Sequence, residues 1–276
     1  MTNKVSSYRK ILDQISLEVQ EKFQNNCDWV HGIGHVKSVV GYGRQILGLE
    51  GKQLAGKMGM GAEKFGFLVE MACWLHDLGR IMEKKWTLWG DKFNHAIESE
   101  KMARKMLGKY RQELKDLNVT MDDLELVFTA VGEHNQPIPK HKNNLIVRVL
   151  QDADRGEGFG YEGVMGVLQY NKIIWLASRP RGEKEYKEKF LKLWPKLVKD
   201  CRKRQKVIHW LTYISNWYGG GRALSRTKLG EFGKEKVCPL YTKAARRIYK
   251  KRYLIVKKYL RELEEIEKNE RVGESI

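Results

Sequence analysis

The residues best placed to do chemistry are His76 and Asp77, adjacent in the run Trp74-Leu75-His76-Asp77-Leu78-Gly79. Upstream, Phe65, Leu68, Val69, Ala72 and Cys73 recur at i, i+3 and i+4 spacing, the signature of one inward helix face. His76 lies four residues after Ala72 and Asp77 four after Cys73, so both project from that buried face, and Gly79 offers a helix stop. An ionised carboxylate and an imidazole there are costly unless they are paired or bind a metal. Other polar groups end apolar stripes in the same way. His35 leads Val39, Tyr42 and Ile46, and His95 leads Ser99, Met102 and Met106. His134 follows Leu124, Val127 and Val131, and Asp152 follows Leu145 and Val149. Taken singly, each histidine is more often a satisfied core residue than a ligand. Taken together, four imidazoles and two carboxylates on buried faces call for something that satisfies them jointly, and a cation does so. Nitrogen and oxygen donors without thiolate suit one or two divalent ions of Mn, Fe, Mg, Ni, Co or Zn in a catalytic site. Asp77, with two oxygens, is the candidate bridge.

The elements that must carry these groups are helical. Ser7 to Gln24 reads as an amphipathic helix with Ile11, Leu12, Ile15 and Val19 inward. A helix from about His35 to Leu49 is followed by a glycine-rich connector, 51–61. Helices are expected from Phe65 to His76, from an Asn94 cap to about Leu107, and from a Thr120–Asp123 capping box to about Glu133. Asn143 or Asn144 caps another, running to Asp154. Glu83 to Phe93 is an irregular loop holding Trp86 and Trp89. Beyond it, Glu183 to Tyr218 is helical with an interruption near Pro195, Gly219 to Lys236 is a charged loop, and Thr242 to Asn269 is a long basic helix that turns acidic at its end. Period-2 alternation is absent. The run Gly219-Gly220-Gly221-Arg222 lacks the spacing of a phosphate-binding loop.

With 276 residues, the chain can bury a full core without staples. Its four cysteines are scattered with no CxxC pair, which argues against a disulfide framework and a zinc ribbon. No apolar run is long enough to span a bilayer and the first ten residues carry no apolar targeting segment, so a cytoplasmic protein with no membrane partner is expected. The net charge is +18, unevenly spread. Residues 171–276 hold 29 Lys and Arg against 12 Asp and Glu, while residues 1–170 hold 23 against 22. Either the basic part meets an anionic partner, such as nucleotide phosphates or nucleic acid, or it is a lysine-rich solvated surface.

The order His35, His76-Asp77, Asp152 resembles the H…HD…D signature of the HD-domain metal-dependent phosphohydrolases. The flanking runs His31-Gly-Ile-Gly-His35, Trp74 to Arg80 and Gln151-Asp-Ala-Asp-Arg155 agree with it. The segment from Tyr241 to Glu265 resembles the C-terminal helix of the small stand-alone bacterial HD hydrolases. The resemblance implies an all-α HD-domain helical bundle over residues 1–170, with a basic helical C-terminal extension, 171–276, packed on it. It also implies that His35, His76, Asp77 and Asp152 bind a first metal, and that His95 and His134 match the extra histidines of two-metal members. Asp77 and Asp152 would serve the metal-activated water, and Arg80 and Arg155 would clamp substrate phosphate, with Lys84, Lys85 and Lys140 as weaker candidates. Asp154 could hold the outer nitrogen of a ligand histidine, and His31 stands outside the signature. Arg80 replaces the lysine common after HDxG but keeps the charge in a fork suited to phosphate. Gly156-Glu157-Gly158 departs from the usual run after the DADR segment.

The implied activity is hydrolysis of a small phosphoester or phosphoanhydride, most simply a nucleotide. Three alternatives share the ligand set: an HD-type single-strand nuclease using the basic segment as its track, an HD-fold di-iron oxygenase, and a binding module that keeps the metal as structure.

Overall fold

The computed structural model describes residues 2–24, 32–82, 94–170, 172–176, 180–219, 221–226, 232–237 and 239–273. The fold is all-α. Its helices are α1 (Thr2–Phe23), α2 (Ile33–Lys57), α3 (Ala62–Leu75), α4 (His95–Leu107), α5 (Arg111–Asp116), α6 (Met121–Glu133), α7 (Leu145–Glu157), α8 (Gly160–Tyr170), α9 (Gly182–Lys199), α10 (Cys201–Gly219) and α11 (Lys243–Gly273). They fall into two compact units, residues 1–154 with 241–245 and residues 155–240 with 246–276.

In the first unit α3 is the centre. Its apolar content leaves Phe65, Phe67, Leu68, Val69, Met71, Ala72, Cys73, Trp74 and Leu75 all buried. It packs against α1, α2, α4 and α6, so whatever follows its last turn is delivered to the middle of the unit. The neighbouring helices begin where their caps dictate. The Asn94 Oδ1 accepts the Ala96 N–H at 3.0 Å and starts α4. Thr120 and Asp123 form the reciprocal capping box that starts α6. At α7 the Asn144 Oδ1 accepts the Ile146 N–H at 3.0 Å, while its Nδ2 donates to the Leu126 carbonyl of α6 at 2.8 Å.

In the second unit, α8, α9 and α10 pack on one another, and residues of α11 supply Tyr249, Val256, Tyr259, Leu260 and Leu263 to the core. Tyr259 sits against Phe190 and Trp194, with ring centroids 4.6 and 4.7 Å away. The buried Arg204 guanidinium is fully engaged by the Val198 carbonyl, Glu267 and Glu270.

Three local expectations are corrected. α2 does not end at Leu49; it runs through Gly51 and Gly56 to Lys57, because Leu54 and Ala55 extend its buried face. Pro195 lies inside α9, and the break comes at Asp200, whose Oδ1 accepts the Lys203 N–H at 3.1 Å to start the next helix. The segment read as a charged loop pairs as an antiparallel hairpin, β1 (Gly221–Arg226) with β2 (Phe232–Val237), in the register Gly221 to Val237. Neither strand has an apolar face in sequence, so hydrophobic alternation gave no signal for backbone pairing. Cys27, His31, Lys84, Lys85, Trp86 and Trp89 lie outside the described residues.

Candidate metal centre

α3 ends at Leu75, and His76 to Gly79 form the turn that follows. The His76 Nδ1–H donates to the Cys73 carbonyl at 2.8 Å, one turn back. That bond fixes the tautomer and aims Nε2 inward. His134 repeats the device at the end of α6, its Nδ1 lying 2.7 Å from the Val131 carbonyl. The loop after His134 is itself secured. The Gln151 Nε2 on α7 bonds the Gln136 carbonyl at 2.9 Å and reaches the Glu133 and His134 carbonyls at 3.4 and 3.3 Å. Asn135 donates to Asn94 at 3.1 Å, joining the end of the helix that carries His134 to the start of the one that carries His95.

Gly79 lets the turn approach α4. Its N–H donates to Ser99 Oγ at 2.7 Å. A Cβ at this position would collide with the His95 carbonyl oxygen and come within 2.8 Å of the Ser99 nitrogen. The glycine is required for this approach, more than for stopping a helix.

The four predicted histidines and Asp77 converge. The His35 Nε2 on α2 lies 3.2 Å from the His76 Nε2 and 3.4 Å from Asp77 Oδ2. The other Asp77 oxygen, Oδ1, lies 3.6 Å from the His95 Nε2, 3.5 Å from the His134 Nε2 and 3.5 Å from the Arg80 Nε. The Asp77 carboxylate thus presents one oxygen to His35 and His76 and the other to His95 and His134.

Asp152 does not join this cluster; this corrects the sequence expectation. Its Oδ1 accepts the Tyr241 N–H at 2.8 Å, and its Oδ2 accepts the Thr242 N–H and Oγ1–H at 2.7 and 2.8 Å. Asp154 stands at the cluster in its place, with Oδ1 3.2 Å from the His35 Nε2 and 3.9 Å from the His76 Nε2. Two residues apart on a helix are about 200° apart, so the two aspartates of the DADR segment face opposite ways. Periodicity could not choose between them, because residues 144–153 are buried without interruption. Both phases carry an apolar lead: Asp152 follows Leu145 and Val149 at i+7 and i+3, and Asp154 follows Val147 and Leu150 at i+7 and i+4. Lys140 is exposed on the loop before α7, and Arg155 opens the second unit, where it is buried.

Electrostatics prepare the donors. Burial pushes His76 down to about 4 against the pull of Asp77, so its Nε2 lone pair is available at neutral pH. Burial works against the charge on Asp77, yet the His76, Arg80, His134 and His95 side chains hold its carboxyl well below the usual range. Asp154 is likewise opposed by burial and held low, first by its hydrogen bond and charge contact with His35. Asp154 keeps 27 % of its side chain exposed, His95 15 % and Arg80 13 %, so solvent reaches the cluster past these three.

Two sets of donor atoms lie close enough to share an ion: His35, His76 and Asp154, and His76, Asp77 and His134. Bonds of about 2.1 Å place neighbouring ligand atoms about 3.0–3.4 Å apart, close to the separations here. The donors fit a divalent cation.

The family model of the HD domain matches residues 32–157, the stretch that contains every one of these donors. Residues 32–157 therefore match the HD domain. The solved structures it is similar to are distant. A protein from an uncultured Thermotogales bacterium, described as a predicted HD superfamily hydrolase, is 21% identical over 66% of this chain and 87% of its own, with a TM-score of 0.39. A Lactobacillus plantarum protein is 18% identical over 96% of each chain, with a TM-score of 0.44. YpgQ of Bacillus subtilis, solved with ADP, is 16% identical over 94% of this chain and 96% of its own, also at 0.44. No curated protein matches. No helix among the described residues is long and apolar enough to cross a membrane.

Proposed function

We propose that this HD domain is a metal-dependent phosphohydrolase acting on a small phosphoester or phosphoanhydride, with nucleotides as the substrate class. The observation that carries the reading is the divided Asp77 carboxylate, each oxygen facing its own pair of imidazoles. His35, His76, Asp77 Oδ2 and Asp154 would hold one divalent ion, and His95, His134 and Asp77 Oδ1 a second. Such ions supply Lewis acidity, activating water and drawing charge from the transferring phosphoryl group. The chain's own residues do the rest. The carbonyls of Cys73 and Val131 fix the two imidazoles in the ligand tautomer. Arg80 holds its guanidinium beside Asp77, and its planar fork is of the kind that would grip a phosphate in bidentate fashion. Arg155 is the other phosphate contact expected from sequence alone. The division into a metal-bearing part through residue 170 and a basic remainder, and a cytoplasmic setting, belong to the same proposal.

The test is a screen of nucleoside mono-, di- and triphosphates with Mn, Fe, Mg, Co and Ni, scoring phosphate against pyrophosphate release. Turnover that vanishes in His76→Ala and Asp154→Ala supports the reading. Iron-dependent oxygen uptake without phosphate release would replace it with the oxygenase alternative.

A further inference from the structure

The long helix α11 carries a charge pattern that the metal centre does not use. Between Arg246 and Arg261 it holds eight Lys and Arg and no acidic residue; the first acid is Glu262. Six of these cations are exposed, and five of them share one side of the helix: Arg247, Lys250, Lys251, Lys258 and Arg261. At 100° per residue, all five fall within about 100° of one another around the helix axis, with the exposed Leu254 among them. They form one row, about 21 Å long at 1.5 Å per residue. Some exposed cations elsewhere are neutralised by neighbouring acids, as Lys101 is by Glu98 and Arg104 by Glu125. None of the five in the row forms an ion pair among the described residues. An unneutralised row of like charges on one rigid helix costs stability through repulsion and calls for an anionic occupant.

The opposite face of α11 narrows the choice. A helix that binds membranes keeps its apolar face free for the lipid. Here Tyr249, Val256, Tyr259, Leu260 and Leu263 are buried in their own unit, which leaves no apolar face to insert. One edge of the row is flanked by half-buried aromatic rings. Tyr253 stacks on Tyr218 with centroids 4.1 Å apart and planes 5° apart, and the Tyr218 hydroxyl donates to the Arg246 carbonyl at 2.9 Å. On α10, Trp210, Tyr213 and Trp217 follow at i, i+3 and i+7, each partly open to solvent. A cationic track with π-faces beside it suits a strand whose bases are unpaired.

We infer that the cation row of α11, with the Tyr218–Tyr253 stack at its edge, binds the phosphate backbone of single-stranded nucleic acid. The inference does not rest on the hydrolase reading, since it concerns binding by the second unit alone and is measured without turnover.

The test uses the full chain and a fluorescent twenty-nucleotide oligo-dT, followed by anisotropy from 50 to 200 mM salt. Five phosphate contacts on a single strand predict a log–log salt slope of about −3.5, a loss on the order of 100-fold across that range. The variant Arg247→Gln/Lys250→Gln/Lys251→Gln/Lys258→Gln changes only exposed side chains and is expected to flatten the slope to about −1. A control variant neutralises four exposed cations off the row, Lys187, Lys192, Lys196 and Arg202, and is expected to keep most of it. Tyr253→Leu is expected to weaken the oligonucleotide several-fold while leaving a duplex of equal length unchanged. Equal losses in the row and control variants would overturn the inference, reducing binding to net charge. So would tighter binding to duplex, to anionic vesicles or to an acidic peptide than to the single strand.

Discussion

At the residue scale the two aspartates of the DADR segment do different work, although they differ by one helical half-turn. Asp154 faces imidazoles; Asp152 faces backbone N–H groups of residues 241 and 242. Asp154→Asn is therefore expected to lose most bound metal, read by elemental analysis after gel filtration, with little change in the fold. Asp152→Ala is expected to keep the metal and lose about 1–3 kcal/mol of stability, because three donors lose their acceptor. The opposite pattern would return Asp152 to the ligand set. Gly79→Ala is expected to cost both, since its methyl meets the His95 carbonyl; about 1–3 kcal/mol of overpacking would accompany a displaced His95, seen as a lower denaturant midpoint and weaker metal affinity. His76 adds a pH dependence. Its folded pKa lies below the ordinary histidine value, so the unfolded chain binds the proton more readily. The contribution to stability is complete above about pH 6.5 and is lost as pH falls toward about 4. Denaturant midpoints of the metal-free protein at pH 7.5, 6.0 and 5.0 should fall in that order, and by less in a His76→Leu variant. The convergence of the four histidines and Asp77 was legible because each stands at the start or end of an apolar stripe, where a polar group is costly to bury unpartnered. The choice at DADR was not, because α7 is buried all round and both phases looked alike.

At the element scale, caps and apolar stripes were readable and overrides were not. The Asn94 and Thr120 caps stand where the sequence put them, since a cap is a local hydrogen bond. The end of α2 and the persistence of α9 through Pro195 depend on tertiary burial, of Leu54 and Ala55 in one case and of Trp194 and Leu197 in the other. The joining of residues 241–245 to the first unit was likewise invisible, because it is made by carboxylates far away in sequence. Asp152 accepts from Tyr241 and Thr242, Glu50 Oε1 accepts the Ala244 N–H at 3.0 Å, and Thr242 Oγ1 accepts the Ala245 N–H at 3.1 Å. Together these satisfy the Ala244 and Ala245 donors in the first turn of α11 and place negative charge at its positive end. Thr242→Val, which keeps the shape and removes the hydroxyl, is expected to cost about 1 kcal/mol. Glu50→Gln is expected to cost less, because a neutral oxygen still accepts. Equal and negligible effects in chemical denaturation would mean that the segment is held by packing alone.

At the scale of the whole molecule, the proposed metal centre would link folding to ligand binding. The proposed donors come from α2, the turn after α3, α4, the end of α6, and α7, so a cation held by them would tie together five segments spread over more than a hundred residues. The unfolded chain scatters them and cannot assemble the site, so binding stabilises the folded state by mass action. At a free metal concentration about 100 times the dissociation constant, the gain is about 2.7 kcal/mol. For a unit of about 150 residues, that raises the melting temperature by roughly 5–11 °C. Thermal unfolding in chelator and then in graded Mn should therefore show an upward shift that grows with the logarithm of metal concentration. The shift should vanish in His76→Ala and persist in Asp152→Ala. The cation row of α11 makes a contrasting prediction: its neutralisation should leave the metal-induced shift intact and raise stability slightly at low salt, where like-charge repulsion is least screened. A melting temperature indifferent to metal in the unaltered protein would mean that the buried donors satisfy one another without a cation, and the cluster would then be a polar core.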